Sequence, residues 1–199
     1  MARPSAALVA SFVGLGVALA PALAQAAPQG TAGLTAGVAG VGTDHGLWDG
    51  TVFHLGARGD LLLGRDGPYD FGAGPYAEIL THAFDEAAMG GGLSVLVPVL
   101  DPYPIVLSGG GYLRAGTDFP GIEPGVAGTF FWGTRSFNYH GTYGMAAGLL
   151  AELRYGLGDT RETAVVLGLQ LDIGFGSIPL VALINLGDSP EAAELPAKK

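Results

Sequence analysis

Residues 144–175 read GMAAGLLAELRY, then GLGDTRET, then AVVLGLQLDIGF. In the first segment Met145, Ala147, Leu149, Ala151, Leu153 and Tyr155 alternate with Ala146, Gly148, Leu150, Glu152 and Arg154. In the last, Val165, Leu167, Leu169, Leu171, Ile173 and Phe175 alternate with Val166, Gly168, Gln170, Asp172 and Gly174. Side chains alternate faces along a strand, so this is a hairpin with one apolar face and one face of charge, amide and glycine. The strands are long for a soluble sheet. Their length and pattern match strands that cross a bilayer, with lipid on one side and a packed polar interior on the other.

The rest of the chain repeats the signal. Period-two segments fall at residues 32–42, 52–63, 71–82, 89–99 and 105–115, and a sixth begins near Gly125. With the closing hairpin they make eight strands, and an even number returns both termini of an up-and-down barrel to one side. Pro75 lies inside the third segment. It has no N–H to give to a ladder, so a bulge or bend is expected there.

Bulk composition agrees. Of 199 residues 35 are glycine, 49% are hydrophobic and only 14% are charged, with no cysteine. Without disulfides, an exported chain must be held by packing or by a closed hydrogen-bonded sheet. The formal net charge of -9 and the lack of any Lys/Arg run argue against a nucleic-acid partner. Residues 1–26 combine Arg3, an Ala-rich apolar run and a small-residue exit at Ala24-Gln25-Ala26, the pattern of a cleaved signal peptide rather than a helical anchor. Its removal takes away Arg3 alone among the charges, moving the net charge from -9 to -10. The expected organisation is signal peptide 1–26, barrel 27–177, and an apolar segment with a disordered tail over 178–199. Export would put the loops around His45, Asp85, Glu123 and Arg161 outside the cell, and the turns at Gly67, Pro102 and near His140 in the periplasm.

On these residues the chain resembles the small eight-stranded outer-membrane barrels of bacteria, the outer-membrane protein A-like and X-like group. The resemblance is architectural and covers residues 32–175. In the last strand Gly168, Leu171, Ile173 and the aromatic Phe175 fit the spacing of that group's assembly signal, whereas Val166 stands where a polar residue is usual and the chain runs on to Lys199. The resemblance implies an all-β, antiparallel, up-and-down transmembrane barrel in the outer membrane of a diderm bacterium, with lipid as its partner.

Two residue sets are candidates for function. The first is an interior polar network of Arg58, Asp60, Glu78, Arg114, Glu152, Arg154, Gln170 and Asp172. With the second turn centred at Pro68, Arg58 faces Glu78, Asp60 faces Tyr76 and His54 faces His82. Paired charges of this kind fill a narrow lumen, and loss of Glu78 is expected to strand Arg58. The second set lies at the rim: His45, His54, His82 and Asp85, with Asp44 and Glu86 beside them. Imidazoles and carboxylates together can bind a divalent ion or sense pH, though the spacing matches no metal motif. Catalysis is not expected. Ser94 and Ser108 lack a histidine at their level, Ser136 and His140 are close only in sequence, and no Gly-x-Ser-x-Gly element exists. No cofactor is expected. The function expected is structural or interactive; the alternatives are a small channel or transporter, and a soluble periplasmic barrel with the apolar face turned inward around a ligand.

Overall fold

The computed structural model describes residues 28–44, 46–117, 119, 121–135 and 143–175. Residues 1–27, which include the expected signal peptide, His45, the segment at Ser136 and His140, and the stretch 178–199 lie outside the described residues. Eight strands follow in order: β1 (Gln29–Gly42), β2 (Gly50–Leu62), β3 (Gly72–His82), β4 (Glu86–Leu100), β5 (Tyr103–Gly116), β6 (Glu123–Arg135), β7 (Ala146–Gly156) and β8 (Thr163–Asp172). Each pairs antiparallel with its neighbours, and β8 pairs with β1 to close the barrel. Closure leaves no sheet edge with unpaired backbone groups. Loops at 43–49, 83–85, 117–122 and 157–162 share one end, called distal here; the 63–71 and 101–102 turns and both ends of the barrel chain share the other, proximal end.

The alternation in the sequence sets which side chains line the lumen. Every Asp, Glu, Arg and His of the eight strands points inward: His54, Arg58, Asp60, Glu78, His82, Glu86, Arg114, Glu123, Arg135, Glu152, Arg154 and Asp172. The outward positions carry Leu, Val, Ile, Phe, Ala, Gly and a few Thr, Tyr, Trp, Met and Pro. Leu34, Ile79, Met89, Leu149 and Leu167 are all at least half exposed on that outer wall. The apolar residues that do point inward gather in two groups. Leu62, Leu96, Val106, Phe131, Ala146 and Leu150 pack together toward the proximal end. Leu80, Ala88, Tyr112 and Ala127 form a smaller cluster on the β3–β6 wall nearer the distal end.

Three local expectations are corrected. Pro75 induces no bulge. The β2–β3 pairing runs from His54↔His82 to Asp60↔Tyr76, and a bridge at Leu63↔Ala73 keeps the same register beyond the gap. The ladder simply lapses beside Pro75, which points outward, and so costs no register shift. The irregularity falls instead between Val97 and Leu100 of β4, around Pro98. The last strand stops at Asp172, and residues 173–175 are helical, so Phe175 is not its final strand residue. Asp172 Oδ1 accepts the Gly174 N–H at 2.7 Å, the kind of side-chain capture that starts a helical turn and competes with the ladder. Several strands also reach further into their loops than alternation indicates: β4 starts at Glu86 and β6 at Glu123.

Space inside is made by glycine. A Cβ on Gly125 would lie 2.5 Å from Tyr112 Cε1, so Gly125 is what admits the Tyr112 ring to the lumen. That ring in turn supports Arg154, whose Cζ stands 4.0 Å from its centroid.

Candidate functional site

The facing pairs set by the Pro68 turn are present: Arg58↔Glu78, Asp60↔Tyr76 and His54↔His82. Side chains reaching across the lumen then build a network that register alone does not reveal. Arg58 Nη1 donates to Glu78 Oε2 at 3.3 Å and to Thr129 Oγ1 at 3.3 Å. Its Nη2 donates to Asp60 Oδ1 (3.4 Å), Ser94 Oγ (3.2 Å) and Ser108 Oγ (2.5 Å). Arg58 also stacks on Tyr76, with Cζ 3.9 Å from the ring centroid. Arg154 Nη1 binds Glu152 Oε1 at 2.6 Å and Glu78 Oε1 at 3.1 Å. Arg135 Nη2 binds Asp60 Oδ2 at 3.0 Å and Thr31 Oγ1 at 2.7 Å. Three arginines therefore meet three carboxylates, and the central network is charge-balanced.

This geometry corrects the expectation for Glu78. Removing it does not strand Arg58, which keeps Asp60, nor Arg154, which keeps Glu152. Glu78→Ala is expected to cost about 1–3 kcal/mol, the loss of charge-assisted bonds without an orphaned cation. Chemical denaturation of the folded chain in detergent micelles measures it.

Three members of the expected network lie outside this central cluster. Asp172 is buried, but its carboxylate is held by the Tyr143 hydroxyl at 2.8 Å and the Ala146 and Gly174 N–H groups, not by an arginine. It ties the proximal ends of β7 and β8 together. Gln170 is buried, and its Nε2 has no hydrogen-bond partner. Arg114 belongs to a separate, distal cluster. It pairs with Glu86 (3.0 Å), with Glu123 (2.6 Å) and with Glu162. Thr160 caps Glu123 through its N–H (3.0 Å) and hydroxyl (2.5 Å), and the Phe119 ring lies 4.4 Å from Arg114 Cζ.

Of the rim residues, His82 and His54 face each other with their rings tilted by 49° and centroids 5.4 Å apart. His54 Nε2 is engaged with Thr35 Oγ1 at 3.0 Å. His82 Nδ1 sits 2.7 Å from Glu86 Oε1, its facing residue across the β3–β4 hairpin. Asp85 is exposed, and with His82, Glu86 and Glu162 it lines an open recess of about 310 Å³. Asp44 is exposed in the β1–β2 loop. Burial, reinforced by the nearby Glu86 carboxylate, pushes the Glu162 carboxyl above its ordinary range, against the pull of Arg114.

Glu123, Arg135 and Glu162 were not in the candidate sets. Arg135 is legible as inward from its place in β6, but its partner Asp60 is four strands away. Glu123 and Glu162 sit where alternation has given way to loop, so no face can be read for them from sequence.

Fold and site together define a closed eight-stranded antiparallel barrel with an apolar outer wall and a charge-filled lumen. No known protein family matches this chain, and no curated protein is similar to it in sequence.

Proposed function

We propose that the protein is an integral β-barrel of the outer membrane of a diderm bacterium, akin to the small eight-stranded outer-membrane barrels, with a structural or interaction role and no catalytic one. One observation carries the reading: no Asp, Glu, Lys, Arg or His points outward from any of the eight strands. A barrel in water would present a substantial charged fraction on that surface. A ten-residue strand rising about 3.3 Å per residue and tilted roughly 40° stands about 25 Å high, the height of a membrane-embedded apolar band. Exposed aromatics flank the band. Trp48, Phe53, Phe84 and Tyr155 lie at the distal end, and Tyr69, Phe71, Tyr103 and Trp132 at the proximal end, as interfacial girdles do. The same orientation weighs against a soluble barrel with an apolar cavity, because its Leu and Val residues are outside and its charges inside. The serine hydroxyls in the lumen are engaged by Asp60 and Arg58 rather than by an imidazole, which fits a non-catalytic interior.

Fractionation tests the assignment. The chain is expected to stay with outer membranes through salt and alkaline washes; release by osmotic shock would overturn the reading. A channel is disfavoured because Arg58, Arg135 and Arg154 are ion-paired in the lumen to Asp60, Glu78 and Glu152, and the apolar group of Leu62, Leu96, Val106, Phe131, Ala146 and Leu150 packs the proximal end. Planar-bilayer recordings are therefore expected to show no steady conductance, and stepwise ohmic currents would establish the channel instead.

A further inference from the structure

The two charge clusters differ in balance. Centrally, Arg58, Arg135 and Arg154 match Asp60, Glu78 and Glu152. Distally, Arg114 alone faces Glu86, Glu123 and Glu162. The distal cluster therefore lacks two positive charges when its carboxylates are ionised and its histidine neutral. Beside it is His82, whose side chain is only 4% exposed; its Nδ1 stands 2.7 Å from Glu86 Oε1, and its Nε2 has no hydrogen-bond partner among the described residues. One donor atom from each of His82, Glu86 and Glu162 falls within 4.8 Å of the others.

We propose that the distal mouth of the lumen binds one divalent transition-metal cation of the zinc type, ligated by His82, Glu86 and Glu162. Its two charges cancel the local deficit. Arg114 occupies Glu86 Oε2 and Glu162 Oε2, which leaves Oε1 of each carboxylate for the metal. When the metal draws on those carboxylates, Arg114 retains Glu123 at 2.6 Å. Tetrahedral ligands at about 2.0–2.2 Å from zinc stand roughly 3.3–3.6 Å apart, so side-chain shifts of about an ångström close the site. An imidazole donor selects zinc-like ions over the oxygen-seeking Ca²⁺ and Mg²⁺. The recess admits water to the remaining coordination position. His54 is not among the donor atoms that fall within 4.8 Å of one another, and Thr35 engages its Nε2 at 3.0 Å. The site depends on the barrel's register and not on which membrane or compartment holds it.

Zinc titrated into the folded chain in detergent micelles, followed by calorimetry and by thermal unfolding, tests the site. We expect saturable binding of one zinc per chain with a raised unfolding temperature, and binding of Mg²⁺ and Ca²⁺ at least tenfold weaker. His82→Ala and Glu162→Gln should each weaken zinc binding by tenfold or more. If His82→Ala fails to fold, Glu162→Gln decides, because it leaves Arg114 paired with Glu86 and Glu123. Asp159→Asn, which removes an exposed acid of the same loop, should bind as the unaltered chain does. Absence of saturable zinc binding, unchanged binding in Glu162→Gln, an equal loss in Asp159→Asn, or equal affinity for Mg²⁺ would each overturn the proposal.

Discussion

Asp60→Ala is expected to destabilise the barrel by about 3–5 kcal/mol, the range for breaking a buried ion pair from one side. Asp60 is the hub of the central network. Its Oδ2 pairs with Arg135 at 3.0 Å, while Oδ1 takes Arg58 at 3.4 Å and the Ser94 hydroxyl at 2.6 Å. The Asp60 side chain is 2% exposed and that of Arg135 3%, so water cannot replace what the substitution removes. Arg58 would fall back on Glu78, but Arg135 has no second carboxylate in ion-pair range among the described residues, and its Nε and Nη1 already lack partners. This asymmetry separates Asp60 from Glu78, whose two arginines each keep another acid. The double substitution Asp60→Ala with Arg135→Met should recover much of the loss, since removing both members of a buried pair is far less costly than removing one. Denaturant midpoints of the singles and the double give the coupling directly. If Asp60→Ala proves no more harmful than Glu78→Ala, Arg135 does not depend on Asp60.

The contrast between Asp60 and Glu78 marks where sequence reading reaches its limit. Alternation gives the face of a side chain, and a turn centre gives its partner on the adjacent strand; Arg58↔Glu78 follows from those two facts alone. The contacts that decide energetics run across the lumen. Arg58 to Ser108, Arg154 to Glu78 and Arg135 to Asp60 join residues 50, 76 and 75 positions apart. Which rows meet there depends on strand stagger and barrel diameter, and a one-dimensional pattern carries neither. Loops hide residues in a different way. Glu162 lies in the β7–β8 turn, where no period exists, yet it closes on Arg114 from β5. Proline position was informative only through facing: Pro75 points outward beside a gap that keeps its register, whereas the stretch around Pro98 shifts the β4–β5 pairing. The end of β8 turned on a capture the alternation cannot show, Asp172 taking the Gly174 N–H.

Leu167→Arg should lower stability by about 2–4 kcal/mol when the barrel is held in lipid vesicles, the cost of an arginine on the lipid face near the bilayer midplane. Leu167 is half exposed on the outer wall of β8, facing Val38 of β1 and Ala151 of β7, well away from both ends. The lumen is not involved: the substitution adds a charge to a strand surface that has none and leaves the Asp60 and Arg114 networks as they are. In water the same change would be a surface replacement worth no more than about 0.5 kcal/mol either way. The size of the effect therefore reports the solvent around the wall. Leu157→Arg provides the reference, because Leu157 is at least as exposed but sits in the distal β7–β8 loop, beyond the apolar band. Equilibrium denaturation of both variants from vesicles should show Leu167→Arg shifted strongly and Leu157→Arg scarcely at all. Equal, small shifts would mean that the apolar wall does not meet hydrocarbon, and the membrane assignment would fall with it. The fall-off at other wall positions then locates the band: an arginine at Phe53 or Trp132, in the two aromatic girdles, should cost less charge penalty than one at Leu167, since near the interfaces the penalty drops to about 0–1 kcal/mol.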